Sequence, residues 1–166
     1  LVKTFLPGWE EASLAFVPAG STLEGKPPDD NPEILHVDTG MGRFDHHQTN
    51  ADTCASMLVY DEIKKTRGAD TALERLVAVV NEIDHFREVF FPNPTSDVWD
   101  LSIINQIDGW RLMYPDNPLI YVDLTMKGLD AIYKTFQNKV WAEKELKEKG
   151  IEFETKWGKG IGVETT

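Results

Sequence analysis

The element that most restricts the fold is a four-residue apolar run, Ile34-Leu35-His36-Val37, which ends on Asp38-Thr39-Gly40 and precedes two long helical patterns. A short apolar run bounded by turn residues reads as a buried strand. Leu14-Ala15-Phe16-Val17, closed by Pro18-Ala19-Gly20, reads the same way. Early strands followed by helices predict an α/β domain with a largely parallel sheet flanked by helices, and additional helices in the C-terminal half. In an open sheet of that kind, ligands meet residues at the carboxyl ends of strands, which is where Asp38 falls.

Between the two apolar runs, residues 20 to 33 carry Gly20, Gly25, Pro27, Pro28 and Pro32 and read as a loop. From about Asp52 to Lys65 the apolar residues Ala55, Leu58, Val59 and Ile63 share a helical face, with Gly68 just past the end. A second helix is expected from Asp70 or Thr71, where Thr71-x-x-Glu74 has the form of a capping box, to Ile83, delivering Asp84 near its end. Further helices are expected at about Val98 to Met113 and Leu129 to Lys149. Beyond Gly150, Ile151 to Thr155 alternates as a half-exposed strand does, and Gly160 to Thr166 is β-like. This predicts a domain over 1–126 and a second segment, one helix and the start of a β-containing portion, over 127–166. At the front, Leu1 to Leu6 before Pro7-Gly8 reads as the last turns of a helix.

With 28 acidic against 17 basic residues, the formal charge of −11 works against holding a long nucleic acid by its phosphates. The single Cys54 rules out an internal disulfide and a cysteine-rich zinc site. No apolar run approaches the roughly 20 residues of a membrane span, and no signal-peptide pattern opens the chain, so a cytoplasmic protein is expected.

Asp38, Asp45, His46 and His47 crowd four metal-binding side chains into ten positions. Carboxylates combined with imidazoles suit manganese, zinc or iron, and a carboxylate can bridge two ions. The run from Asp38-Thr39-Gly40 through Phe44-Asp45-His46-His47-Gln48-x-Asn50 to Thr53-Cys54-Ala55-Ser56-Met57-Leu58-Val59 resembles the second and third signature blocks of the DHH phosphoesterases. Glu82-Ile83-Asp84-His85-Phe86 is similar to the fourth. The family includes inorganic pyrophosphatases, single-strand exonucleases, oligoribonucleases and cyclic-dinucleotide hydrolases.

The resemblance implies a metal-dependent phosphoesterase with two divalent ions, most plausibly Mn2+, in a complete site. In that scheme Asp38 bridges the ions, His46 and Asp84 ligate one of them, His47 meets the substrate phosphate, and Asp45 orients a histidine. The implied substrate is a small phosphate compound or a short oligonucleotide, without long nucleic acid or membrane as partner; a homodimer is compatible with it. The sequence departs from the family in lacking an x-x-D-x-D block ahead of residue 34. Only Glu10, Glu11 and Glu24 are acidic before Asp29. The helix-like Leu1 to Leu6 favours loss of that block ahead of Leu1, and the chain as given is then expected to have weak or no activity. Two alternatives follow: a DHH-like regulatory or metal- or nucleotide-binding module without catalysis, and a hydrolase using Asp38, His46 and Asp84 on one ion.

Other residues have simpler readings. His36 inside an apolar run suits a satisfied core histidine more than a site-lining one, His85 equally a structural neighbour of Asp84 or a ligand, Cys54 packing, and Arg43 the surface more than a phosphate contact. Ile107-Asp108-Gly109 repeats the local look of Ile83-Asp84. Trp99, Trp110, Tyr114 and Tyr121 fit a core at least as well as a base-stacking platform.

Overall fold

A computed structural model describes residues 1–164. It divides into two compact units: Leu1–Asp70 with Glu74–Pro94, and Thr71–Leu73 with the residues from Thr95 on. The expected largely parallel sheet is not formed. Among the described residues the sheet is a two-stranded antiparallel hairpin, and the chain is otherwise mostly helical. Leu14–Val17 and Ile34–Val37 are irregular, and neither has a ladder partner. Leu14 (47% exposed), Phe16 (56%) and Val37 (38%) keep much of their surface in solvent. An apolar run specifies a strand only where a neighbouring strand takes up its backbone donors and acceptors, and here none does.

In the first unit a single turn, α1 (Val2–Phe5), precedes a long irregular segment. Helix α2 (Ala55–Arg67) buries Ala55, Val59, Tyr60 and Ile63, a stripe at helical spacing. Lys64, Lys65 and Arg67 in its last turn complement the helix dipole. Gly68, at φ 81°, ends it by donating to the Lys64 carbonyl. The Tyr60 hydroxyl donates to the Asp70 carbonyl (3.1 Å) and accepts from the Asp70 N–H (3.2 Å), fixing the link to α3 (Thr71–Asp84). Thr71 is the first helical residue of α3 rather than its cap, because the Glu74 N–H reaches back to the Asp70 carbonyl (2.8 Å). Leu76 and Val77 of α3 are buried, with Phe44, Cys54, Val59 and Ile63. Ile63 is 2% exposed, so Ile63→Ala is expected to cost roughly 2–5 kcal/mol, read as a lower urea midpoint at unchanged slope.

In the second unit the helical signal at Val98 splits. Asp97–Leu101 is a 3-10 turn, and Ser102 stops it and caps α4 (Ile103–Met113) by accepting from the Asn105 N–H. Helix α5 (Pro118–Lys149) runs 32 residues with Pro118 in its first turn, and continues through position 126, where the sequence suggested a boundary. It also continues through Gly128, because α4 approaches there: a Cβ at 128 would sit 2.7 Å from Ile103 Cδ1. Strands β1 (Ile151–Thr155) and β2 (Gly158–Gly162) pair antiparallel from Ile151–Gly162 to Thr155–Gly158. Thr165 and Thr166, the end of the predicted β-like stretch, lie outside the described residues. No helix among the described residues is long and apolar enough to cross a membrane.

Candidate metal centre

The centre belongs to the first unit and is built on a tight reversal. Asp38 (φ 60°), Gly40 (φ 78°) and Met41 (φ 61°) all occupy the left-handed region, and the Asp38 N–H closes the turn on the Phe44 carbonyl at 2.9 Å. Such φ values are uncommon outside glycine, and aspartate is among the residues that tolerate them best. The irregular segment before it holds the turn in place. Thr39 Oγ1 donates to the Ser21 carbonyl (2.7 Å), and the Arg43 N–H donates to Asp29 Oδ2 (2.7 Å). The fit is close at Gly42, where a Cβ would come within 2.8 Å of Pro28 Cβ. Phe44, 3% exposed, anchors the far side of the turn, and the next three residues are Asp45, His46 and His47.

Asp45 is buried, its side chain 2% exposed. Its Oδ1 accepts from the His47 backbone N–H (3.0 Å) and pairs with His47 Nδ1 (2.6 Å), while Oδ2 accepts from the Met41 N–H (2.7 Å). Burial alone would raise the Asp45 pKa; the bonds from His47 and Met41 more than reverse this and bring it from 3.8 down to about 2. In return the hydrogen bond to Asp45, against a smaller effect of burial, raises the His47 pKa, with the charges of Asp45, Asp38 and Asp84 adding to it. The His47 ring is thus fixed by one nitrogen while its side chain remains 56% exposed.

His46 is the meeting point. Its Nε2 lies 3.3 Å from Asp38 Oδ1 and 3.4 Å from Asp84 Oδ2, the latter on the last residue of α3. Both separations exceed the 2.7–2.9 Å usual for a charge-assisted hydrogen bond. One Nε2–H can serve only one of the two carboxylates. Among the described residues, the ion-pair partners of Asp38 and Asp84 are histidines, and Asp84 also stands at a helix C-terminus, the negative end of the dipole. Donors bound at about 2.0–2.2 Å in a tetrahedral shell lie about 3.4 Å from one another, the spacing of each carboxylate from His46 Nε2, but Asp84 stands outside the group of mutually close donors. Asp38, His46 and His47 also offer ligand atoms that all lie within 4.8 Å of one another. No family model matches the chain, nor does any curated protein or solved structure. The case for the centre therefore rests on its geometry.

The remaining candidates sit apart from these contacts. His36 is buried, its Nε2 accepting from the Leu23 N–H at 3.0 Å, and it lines a cavity of about 100 Å³ with Leu23, Pro27 and Ile34. Arg43 lies over the Phe44 ring and 3.6 Å from Asp29. Cys54 is buried, which pushes its thiol pKa up and leaves it a packing residue. Asp108 belongs to α4 in the second unit and faces Arg111 at 3.4 Å. Trp110, Tyr114 and Tyr121 are half-buried in that unit, with Trp99 at 36% exposure. His85 gives Nδ1 to the Asn81 carbonyl (2.8 Å), and its ring centre is 6.3 Å from that of His46. Sequence reasoning missed Asp52, whose Oδ1 accepts from both Asn81 Nδ2 and Arg87 NH2 around the end of α3; no spacing rule marks three polar residues spread over two segments.

Proposed function

We propose that the chain is a divalent-metal-dependent hydrolase of phosphoester or phosphoanhydride bonds, acting on a small nucleotide, a short oligonucleotide or pyrophosphate. The observation that carries this reading is the convergence of Asp38 Oδ1 and Asp84 Oδ2 on His46 Nε2 at 3.3 and 3.4 Å, beside an exposed imidazole fixed by a buried carboxylate. The residues involved are the ones that carry the resemblance to the DHH phosphoesterases. Asp38, His46 and Asp84 would hold the ion, and their mixed oxygen and nitrogen donors suit manganese or zinc. When bound, such an ion supplies Lewis acidity toward phosphoryl oxygens and acidifies water.

The chain's own residues supply the rest. Asp45 holds the His47 ring by Nδ1, so that Nε2 is left to bind a phosphoryl oxygen. The raised pKa of His47 favours the imidazolium, which can donate a hydrogen bond to that oxygen or a proton to the leaving group. The net charge of −11 selects against long polynucleotides.

Among the described residues one group of three or more such donors has its ligand atoms all mutually close, and it consists of Asp38, His46 and His47, with Asp84 outside it. That favours, as a second reading, a metal- or nucleotide-binding module without catalysis. Elemental analysis after incubation with Mn2+ and gel filtration, combined with hydrolysis assays on pyrophosphate, bis-p-nitrophenyl phosphate and a dinucleotide, separates the two. About one ion per chain with turnover that a chelator abolishes is the expected result. Stoichiometric ion without turnover selects the metal-binding module, and a metal-free chain under these conditions overturns both the hydrolase and the metal-binding module.

A further inference from the structure

Asp84 reaches His46 from the last residue of a helix, where backbone hydrogen bonding runs out and ends fray. The surroundings of that residue are tied down on both sides. Before it, Asn81 Nδ2 donates to Asp52 Oδ1 at 2.9 Å, and Glu82 Oε1 accepts from Arg87 NH1 at 2.8 Å. After it, His85 Nδ1 pairs with the Asn81 carbonyl at 2.8 Å, and Arg87 NH2 donates to the same Asp52 Oδ1 at 2.7 Å. Phe86 adopts the left-handed conformation (φ 55°, ψ 28°) and turns the chain into the short 3-10 helix Arg87–Phe90, from which Arg87 makes these bonds. Asn81 is 6% exposed, so its end of the bond to the exposed Asp52 is buried. Asp52 lies five residues after His47 and ahead of α2, on the segment that carries the two histidines.

We propose that Asp52 and Arg87 form a clamp that positions Asp84: they join the segment bearing His46 to both flanks of the α3 terminus, and so set the distance from Asp84 to His46 Nε2. This rests on the metal-site reading given above. Arg87 is the suitable residue because its planar fork serves two carboxylates at once, Asp52 and Glu82, which a lysine ammonium cannot do with fixed geometry. With both carboxylates engaged, Arg87 is a positioning residue and not a phosphate binder. The Asp52 side chain is 62% exposed and that of Arg87 31%. Surface ion pairs of this kind contribute little to global stability. Their effect is local, on one ligand.

The test is manganese affinity of the full chain by titration calorimetry, with thermal melting of the metal-free protein as a second readout. Asp52→Ala and Arg87→Gln are each expected to weaken Mn2+ binding about tenfold or more, the range found when groups that orient a metal ligand are removed. The double variant should be no weaker than the poorer single variant, because both act through one clamp. Arg87→Lys, which keeps the charge and the fold, should recover only part of the affinity. Melting temperatures should move by only a few degrees. Manganese affinity within twofold of the parent in Asp52→Ala and Arg87→Gln, whatever the melting temperature does, overturns the clamp and leaves the metal site standing. A parent chain that binds no manganese overturns the site and the clamp together.

Discussion

On the proposed function, Asp38→Asn is expected to abolish stoichiometric metal binding and to lower metal-dependent hydrolysis by roughly a hundredfold or more, while the metal-free chain melts at or slightly above the parent temperature. Asparagine is the appropriate replacement because Asp38 sits at φ 60°, and asparagine tolerates the left-handed region as well as aspartate does. The turn therefore stays intact, and what is lost is one anionic donor 3.3 Å from His46 Nε2. Removing that charge also relieves the crowding of Asp38, Asp45 and Asp84 about the histidines. Sites arranged for a ligand commonly trade stability for that arrangement, so the variant should be no less stable without metal. Elemental analysis, a chelator-controlled assay and a melting curve on the same preparation check all three parts. Unchanged turnover in the variant would sink the assignment of the centre.

Asp45→Asn acts in the opposite sense, on folding first. The Asp45 carboxylate takes bonds from the Met41 and His47 backbone N–H groups and pairs with the His47 ring, all in a nearly dry position. An amide in its place turns an NH2 toward one of those donors and leaves it unsatisfied, at a cost of about 3 kcal/mol. The pH dependence gives a second handle. The folded Asp45 pKa of about 2 lies below its ordinary 3.8, so its contribution is fully present above about pH 4 and is lost as the pH falls toward 2. That amounts to on the order of 2 kcal/mol. The raised His47 pKa is the same bond viewed from the other partner. Its contribution is present below the usual histidine value of 6.5 and fades as the pH rises through the raised folded value. Denaturant unfolding of the metal-free parent and variant should therefore differ most between about pH 4 and 6.5, and converge toward pH 2. A constant difference from pH 2 to 8 would mean that the pair is not what holds the turn.

The helices were legible in the sequence to within a few residues, because α2 and α3 each carry an apolar face at helical spacing and stop where Gly68 and Asp84 end the pattern. The cluster of Asp38, Asp45, His46 and His47 was legible too, since these residues are close in the chain, and Asp84 closes a recognisable helix. The sheet was not legible. Ile34–Val37 has the composition of a buried strand, but pairing depends on a partner that local pattern cannot supply, and the structure gives it none. The expected helix from Leu129 begins instead at Pro118 and runs through Gly128, which lets Ile103 approach. The Asp52–Asn81–Arg87 contacts join residues far apart in sequence, and only the fold reveals them.

The pairing of Asp38 and Asp84 across a single imidazole also means that the centre closes a ring of chain containing all of α2 and α3. For a flexible segment of that size the loop-closure entropy is about 3 kcal/mol, and it must be met before Asp84 can face His46. An ion that binds only the closed ring therefore acts as a cross-link, excluding the open chain by mass action and slowing its escape. Metal supply would then set the lifetime of this half of the protein as well as its chemistry.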